Sequence, residues 1–181
     1  MKKDKKKVIQ FGAGNIGRGF LGQLFSESGY ETVFVETREE IVSSLNQRRY
    51  YKLRIIEKDN SRDLIIKNVR AINSQNEAKV VEEIKTGDLM ASAVGVRNLS
   101  FIASLIKRGM IQRFKNGIEK PINLIICENL PEADKVFKEY LLQGLNSQDK
   151  KYIESSLGLV DSIIGRTVPF VPIEMRKEDP T

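Results

Sequence analysis

The chain has no histidine and only one cysteine, Cys127, in 181 residues. The commonest general base and the commonest metal ligand are therefore missing, so a zinc site and histidine-driven proton transfer are not expected. A lone cysteine builds no disulfide framework and suits a reducing, cytoplasmic setting. Long hydrophobic runs are lacking too. Stretches such as Leu124-Ile125-Ile126-Cys127 are strand-sized, so neither a membrane span nor a secretory leader is expected. Stability must then come from a packed core, and the length allows one large domain, or one domain with a fragment of another.

Charge is unevenly spread. Of the formal net charge of +6, residues 1–7 carry +4 in five lysines and one aspartate, leaving +2 for the rest. Residues 1–7 therefore read as a disordered, solvated Lys-rich tail. With no basic and aromatic platform elsewhere, no nucleic-acid partner is expected.

Past the tail, Val8-Ile9-Gln10-Phe11 reads as a buried strand running into glycines. Ile16, Phe20, Leu21, Leu24 and Phe25 fall on one face of a helix that Gly29 ends. Thr32 to Val35 is a second β-branched strand with Glu36 at its end. Strand, glycine turn, helix and strand in about 30 residues form a βαβ unit with parallel strands. Glu39 to Asn46 and Asn76 to Lys85 predict helices. Between them, residues 50–69 alternate, with polar Lys58 to Ser61 at the centre, which predicts an inserted β-hairpin. Leu89 to Val94 predicts a strand ending at Gly95, Leu99 to Lys107 a helix, and Ile122 to Cys127 a strand with Glu128-Asn129 at its carboxyl end. Glu132 to Leu145 and Lys150 to Leu157 predict helices, and Val160 to Val168 is partly extended. The tail from Pro169 holds three of the five prolines and no periodicity. The fold class expected is α/β: a doubly wound, mostly parallel sheet at residues 8–169, carrying an inserted hairpin, with 170–181 as a linker.

The loop Gly12-Ala13-Gly14-Asn15-Ile16-Gly17 follows a strand, opens a helix and is followed by an acid, Glu36, 19 residues after Gly17. That is the full context of the dinucleotide-binding (Rossmann) fingerprint. Gly12 serves the tight turn, Gly14 the close approach of a pyrophosphate, and Gly17 the packing of helix on strand. The helix N-terminus supplies N–H groups and partial positive charge for phosphates. Glu36 is placed to accept both ribose hydroxyls and to repel a 2′-phosphate, which predicts NAD rather than NADP. Arg38, two residues on, is either a partner for such a phosphate or an ordinary exposed arginine at a helix start. Ala93-Val94-Gly95 ends a strand on the ligand side of the sheet, either leaving room for the cofactor or making a plain turn. Asn129 stands at another strand end; its amide either donates to a carbonyl oxygen gaining charge in hydride transfer or caps the next helix. Cys127 reads as a small buried hydrophobe.

The stretch from Phe11 to Gly22 (FGAGNIGRGFLG) resembles the opening of the mannitol-1-phosphate 5-dehydrogenase and long-chain polyol dehydrogenase family, in its amino-terminal Rossmann domain only. Further matches lie at Ala93 to Gly95, at Pro121 to Leu130 (PINLIICENL) and at Gly158 to Ser162 (GLVDS), so the resemblance runs from about residue 7 to about 170. It implies that Gly12, Gly14, Asn15, Ile16 and Gly17 hold the pyrophosphate, Glu36 the adenosine ribose, and that Asn129 faces the substrate and stabilises an oxyanion. It implies an NAD-dependent oxidoreductase acting on a sugar alcohol or its phosphate. The family's catalytic lysine, with its Asn and His companions, belongs to a helical second domain that residues 1–181 do not include. One departure stands out: the family's Val-Asp-Arg-Ile-x-Pro element here runs Ile164 to Pro169 with Gly165 in the aspartate's place. Against the enzyme reading stands a non-catalytic NAD(H)-binding or sensing module that acts through a partner protein.

Overall fold

The computed structural model describes residues 6–57, 60–169 and 179–181. The supposed tail at residues 1–5 and most of the proposed linker, 170–178, lie outside the described residues. Lys7, assigned to the tail, instead opens the first strand and pairs with Glu31.

The six strands β1 (Lys7–Phe11), β2 (Glu31–Glu36), β5 (Val69–Asn73), β6 (Leu89–Ser92), β7 (Ile122–Ile126) and β8 (Leu157–Asp161) form one sheet in the order β5-β2-β1-β6-β7-β8. Each pairing in it is parallel. The strand order reverses beside β1, and in such a sheet the crevice for a ligand opens there, beyond the strands' carboxyl ends. The strands β3 (Tyr50–Glu57) and β4 (Asn60–Lys67) make the expected hairpin, but as a separate antiparallel sheet.

Strands covered on both faces need apolar residues at successive positions, and these have them. One face, with Ile9, Phe11, Val33, Met90 and Leu124, packs against the helices α3 (Glu77–Thr86), α4 (Leu99–Lys115), α5 (Ala133–Leu142) and α6 (Ser147–Ser156). The other face meets α1 (Gly22–Glu27), through Val8, Ala91 and Phe25, and α2 (Glu39–Arg48) with the hairpin, through Phe34, Leu45 and Tyr51.

The helix after the glycine loop is not uniform. Its turn Gly17–Leu21 is π-helical before α1 begins. Tyr51, from the hairpin and 1% exposed, donates its hydroxyl to the Arg18 carbonyl in that turn at 2.6 Å. Gly29 ends α1 as expected, with φ +79. Its N–H bonds the Ser26 carbonyl and the next N–H, of Tyr30, bonds Phe25, while the Phe25 and Tyr30 rings pack with centroids 6.4 Å apart.

Two expectations on this framework need correcting. Helix α4 runs past Lys107 to Lys115, because Gly109 is a contact point instead of a stop: a Cβ there would lie 2.4 Å from the Ile84 side chain of α3. Four residues on, the guanidinium of buried Arg113 donates to the carbonyls of Lys85 (2.8 Å), Gly87 (3.2 Å) and Lys120 (2.7 Å), tying off the end of α3. Strand β5 was not foreseen as a strand of its own, yet it forms the sheet's edge against β2.

Candidate functional site

Strand β1 delivers the chain to Gly12, whose N–H bonds the Val35 carbonyl at 2.9 Å and whose φ is +88. Only glycine adopts that conformation without cost, and a Cβ there would also lie 2.4 Å from the Ala93 carbonyl oxygen. A Cβ on Gly17 would come within 2.1 Å of the Gly12 carbonyl oxygen. The turn and the helix are thus in backbone contact, and buried Gln10 reinforces them by donating its amide to the Phe11 carbonyl at 2.8 Å. Gly14 differs: a Cβ on it would have no heavy atom within 4 Å. Its space is a cavity of about 1070 Å³ that crosses the carboxyl ends of the strands. The helix's own bonding starts with Arg18 N–H to the Gly14 carbonyl at 2.9 Å, so the amides of Asn15, Ile16 and Gly17 belong to the unpaired first turn.

Of the residues singled out from the sequence, Gly14, Asn15, Ile16, Ala93, Val94, Gly95 and Asn129 line this one cavity. Gly12, Ala13, Gly17 and Glu36 lie behind its wall. Glu36, 7% exposed, accepts the Ala13 N–H (3.0 Å) and the N–H groups of Thr37 (2.8 Å) and Arg38 (3.1 Å). Arg38 closes over it with Nε on Oε1 (3.2 Å) and Nη2 on Oε2 (3.0 Å), and it is Arg38 that faces the cavity. Burial pushes the Glu36 carboxyl up, but the hydrogen bonds and charge of Arg38 and the Thr37 amide outweigh it, leaving a value lowered to about 2. Arg38 is therefore not a loose surface arginine; it closes over Glu36 in an ion pair. That guanidinium covers both oxygens of the Glu36 carboxylate.

At the other end, Asn129 is exposed to the cavity. It does not cap α5, whose N-cap is Glu132 with no side-chain capping bond. Cys127 is buried, with Sγ 3.3 Å from Ser162 Oγ, and burial raises its thiol's pKa. Gly165 leaves open space where the family's aspartate would project.

Two contributors were missed. Arg18 lies at the cavity, donating Nε to the Ala13 carbonyl at 2.6 Å and Nη1 to the carbonyls of Pro180 (3.1 Å) and Thr181. Burial lowers its pKa, and the nearby charge of Arg38 acts in the same direction. Its position directly after the glycine fingerprint was the available signal. Glu128, next to Asn129, is 9% exposed and accepts the N–H groups of Val94 and Gly95, each at 2.9 Å. An acid directly after an apolar strand was visible in the sequence, but its partners are remote in the chain. Among the described residues no group of three or more His, Cys, Asp or Glu side chains is arranged to hold a metal ion, and no helix is long and apolar enough to cross a membrane.

Residues 6–181 match the family model described as the mannitol dehydrogenase Rossmann domain. Mannitol-1-phosphate 5-dehydrogenase of Buchnera aphidicola subsp. Acyrthosiphon pisum (strain Tuc7) is 38% identical over 165 residues, covering 91% of this chain and 43% of that protein. The enzyme of that name from Geobacillus stearothermophilus is 38% identical over 163 residues, covering 90% and 42%. The chain thus spans less than half the length of these curated relatives. Among solved structures, octopine dehydrogenase aligns with a TM-score of 0.62 at 11% identity, over 90% of this chain and 40% of that one. A UDP-glucose dehydrogenase from Pyrobaculum islandicum aligns with a TM-score of 0.56 at 12% identity, over 90% and 36%. At such identities the structures speak for a shared fold alone.

Proposed function

The chain belongs to the mannitol dehydrogenase family through its Rossmann domain, and on that footing we propose that it is the NAD(H)-binding domain of a dehydrogenase for a sugar alcohol or sugar-alcohol phosphate. The observation that carries the reading is the division of labour among the three glycines. Two are closed by backbone contact, while the third faces a large cavity at the point where the strand order reverses. A pyrophosphate fits that place, because the first-turn amides and the helix dipole favour an anion and no Cβ blocks its approach.

The nicotinamide supplies or accepts the hydride; the chain's own residues bind, orient and polarise. The loop Gly12 to Gly17 cradles the pyrophosphate. Glu36 accepts the adenosine ribose hydroxyls once Arg38 swings aside, and its charge favours NAD over NADP. Ala93, Val94 and Gly95 leave room beneath the cofactor's other half. Asn129 donates its amide to the substrate oxygen as that oxygen gains negative charge. The base that takes the hydroxyl proton comes from the region that the longer relatives have and residues 1–181 do not cover, since among the described residues no lysine or histidine lines the cavity. Substrates are the polyol phosphates for which the relatives are named, in a cytoplasmic setting that suits a free cysteine.

Fluorescence titration with NADH and NADPH tests the reading. NADH is expected to bind more tightly, and Glu36→Ala to weaken NADH by roughly tenfold or more, the effect of losing a charge-assisted hydrogen bond. Equal affinity for both cofactors would sink the assignment to Glu36 and hand the choice to Arg38. Binding of neither would end the proposal.

A further inference from the structure

The strand order sets the polarity of the cavity. Glu36 ends β2 on one side of β1, so a dinucleotide whose adenosine lies there must place its nicotinamide half over β6 and β7, on the other side. The wall at that end is the loop after β6. Val94 and Gly95 line the cavity, and Gly95 holds φ +84.

Side chains hold this loop through three bonds. Glu128 Oε1 accepts the Val94 N–H and Oε2 the Gly95 N–H, both at 2.9 Å. From the far side, exposed Asn98 donates its amide to the Val94 carbonyl at 2.8 Å. Two successive amides turned toward one point form the kind of concave cluster that collects an anion, and here the protein fills it with its own carboxylate. The two strand ends are already joined by the Cys127 N–H on the Ser92 carbonyl at 2.9 Å. Glu128 extends that join past the sheet, and the next residue in the chain is Asn129.

We propose that Glu128 is a positioning residue for the nicotinamide half of the cofactor: it fixes Val94 and Gly95 as the floor of the cavity and, through the backbone, sets where Asn129 stands. The inference rests on the NAD(H)-binding reading above. It predicts a dependence confined to one half of the ligand. Glu128→Gln preserves size but presents an NH₂ to one of the two N–H groups, replacing a charge-assisted bond with two opposed donors.

The experiment titrates the wild-type chain, Glu128→Gln and Asn98→Ala with NADH and with ADP-ribose, which lacks the nicotinamide. For Glu128→Gln, NADH affinity is expected to fall about tenfold while ADP-ribose stays within about twofold, and the fluorescence change of bound NADH should shrink. Asn98→Ala removes an exposed side chain from the same loop and should shift the NADH-to-ADP-ribose ratio in the same direction by a smaller factor. Equal weakening of both ligands would assign Glu128 to general stability and overturn the proposal. An unchanged ratio in both variants would overturn it too. If Glu128→Gln does not fold, Asn98→Ala decides alone. Failure of the wild-type chain to bind either ligand would defeat the functional reading itself, a result distinct from any of these.

Discussion

Gly14→Val and Gly17→Ala are expected to fail in opposite ways, although they lie three residues apart in one loop. A Cβ on Gly17 would lie 2.1 Å from the Gly12 carbonyl oxygen and 3.1 Å from its carbon, and neither is the loose end of a side chain. Relief requires the helix to move off the strand. Overpacking of this kind costs about 1–3 kcal/mol, a large share of the roughly 5–15 kcal/mol that holds a domain folded. At this chain length that means a fall in Tm of about 2–4 °C for each kcal/mol. A Cβ on Gly14 meets nothing within 4 Å. Both valine methyls then extend into the cavity, and stability should stay within about 0.5 kcal/mol of the parent, as at any open position. The branched side chain fills the space assigned to the pyrophosphate, so NADH binding should be lost. Urea unfolding followed by circular dichroism measures the first quantity and NADH fluorescence the second. The reasoning is refuted if Gly14→Val is as destabilised as Gly17→Ala, or if it folds and binds NADH normally.

Two further outcomes are expected. The Glu36 carboxyl sits at about 2 instead of 4.5, so its contribution is complete above about pH 5 and disappears as pH falls through the folded value. At about 1.4 kcal/mol per unit the upper bound is about 3 kcal/mol; because Arg38 is 44% exposed and screened by water, about 1–2 kcal/mol is expected. Glu36→Gln should flatten the acid limb of the stability curve between pH 5 and 2 by that amount, and an unchanged limb would refute the pairing. Residues 1–181 should also bind NADH yet produce none from mannitol 1-phosphate, because a positioned base contributes about 10²–10⁴-fold and among the described residues the cavity wall has neither lysine nor histidine. Turnover measured at about 340 nm, an absorbance belonging to reduced nicotinamide and not to the enzyme, that is lost in Asn129→Ala would overturn the placement of the base.

Local rules made most of this fold legible. The βαβ unit, the hairpin and the glycine loop each announce themselves within a few consecutive residues, and so do their places in the structure. What escaped depends on partners distant in the chain. Gly109 carries the mark of a helix end, and only the approach of Ile84, 25 residues earlier, makes it a mid-helix contact. The strand β5 is short, with Arg70 as its second residue. That arginine is held by Glu31 and Glu83, 39 and 13 residues away, so its polarity hid a strand. At the site the cause differs. Gly14 and Asn129 follow from motif and strand end, whereas the closure of Arg38 over Glu36 and the grip of Glu128 on Val94 and Gly95 are side-chain geometry that no spacing encodes.

The π-helical turn at Gly17–Leu21 has a consequence for length. Each residue of an α-helix advances about 100° around the axis, and a turn closed by i→i+5 bonds holds one residue more than its neighbours. The segment after it is therefore out of phase with the segment before it, and both phases are in use. Ahead of the turn, Ile16 sits beside the cavity; behind it, Gly22 lies against Tyr51 and Phe34 while Phe25 meets Tyr30. Removing a single residue from 17–21 would let an ordinary α-helix form with the downstream segment still facing as it does, whereas tightening all five residues to i→i+4 bonds would rotate everything downstream by about 100°. Gly22 would leave the tyrosine, and Phe25 would face water. The extra residue in the turn, as much as its side chains, sets which face each half of the helix presents.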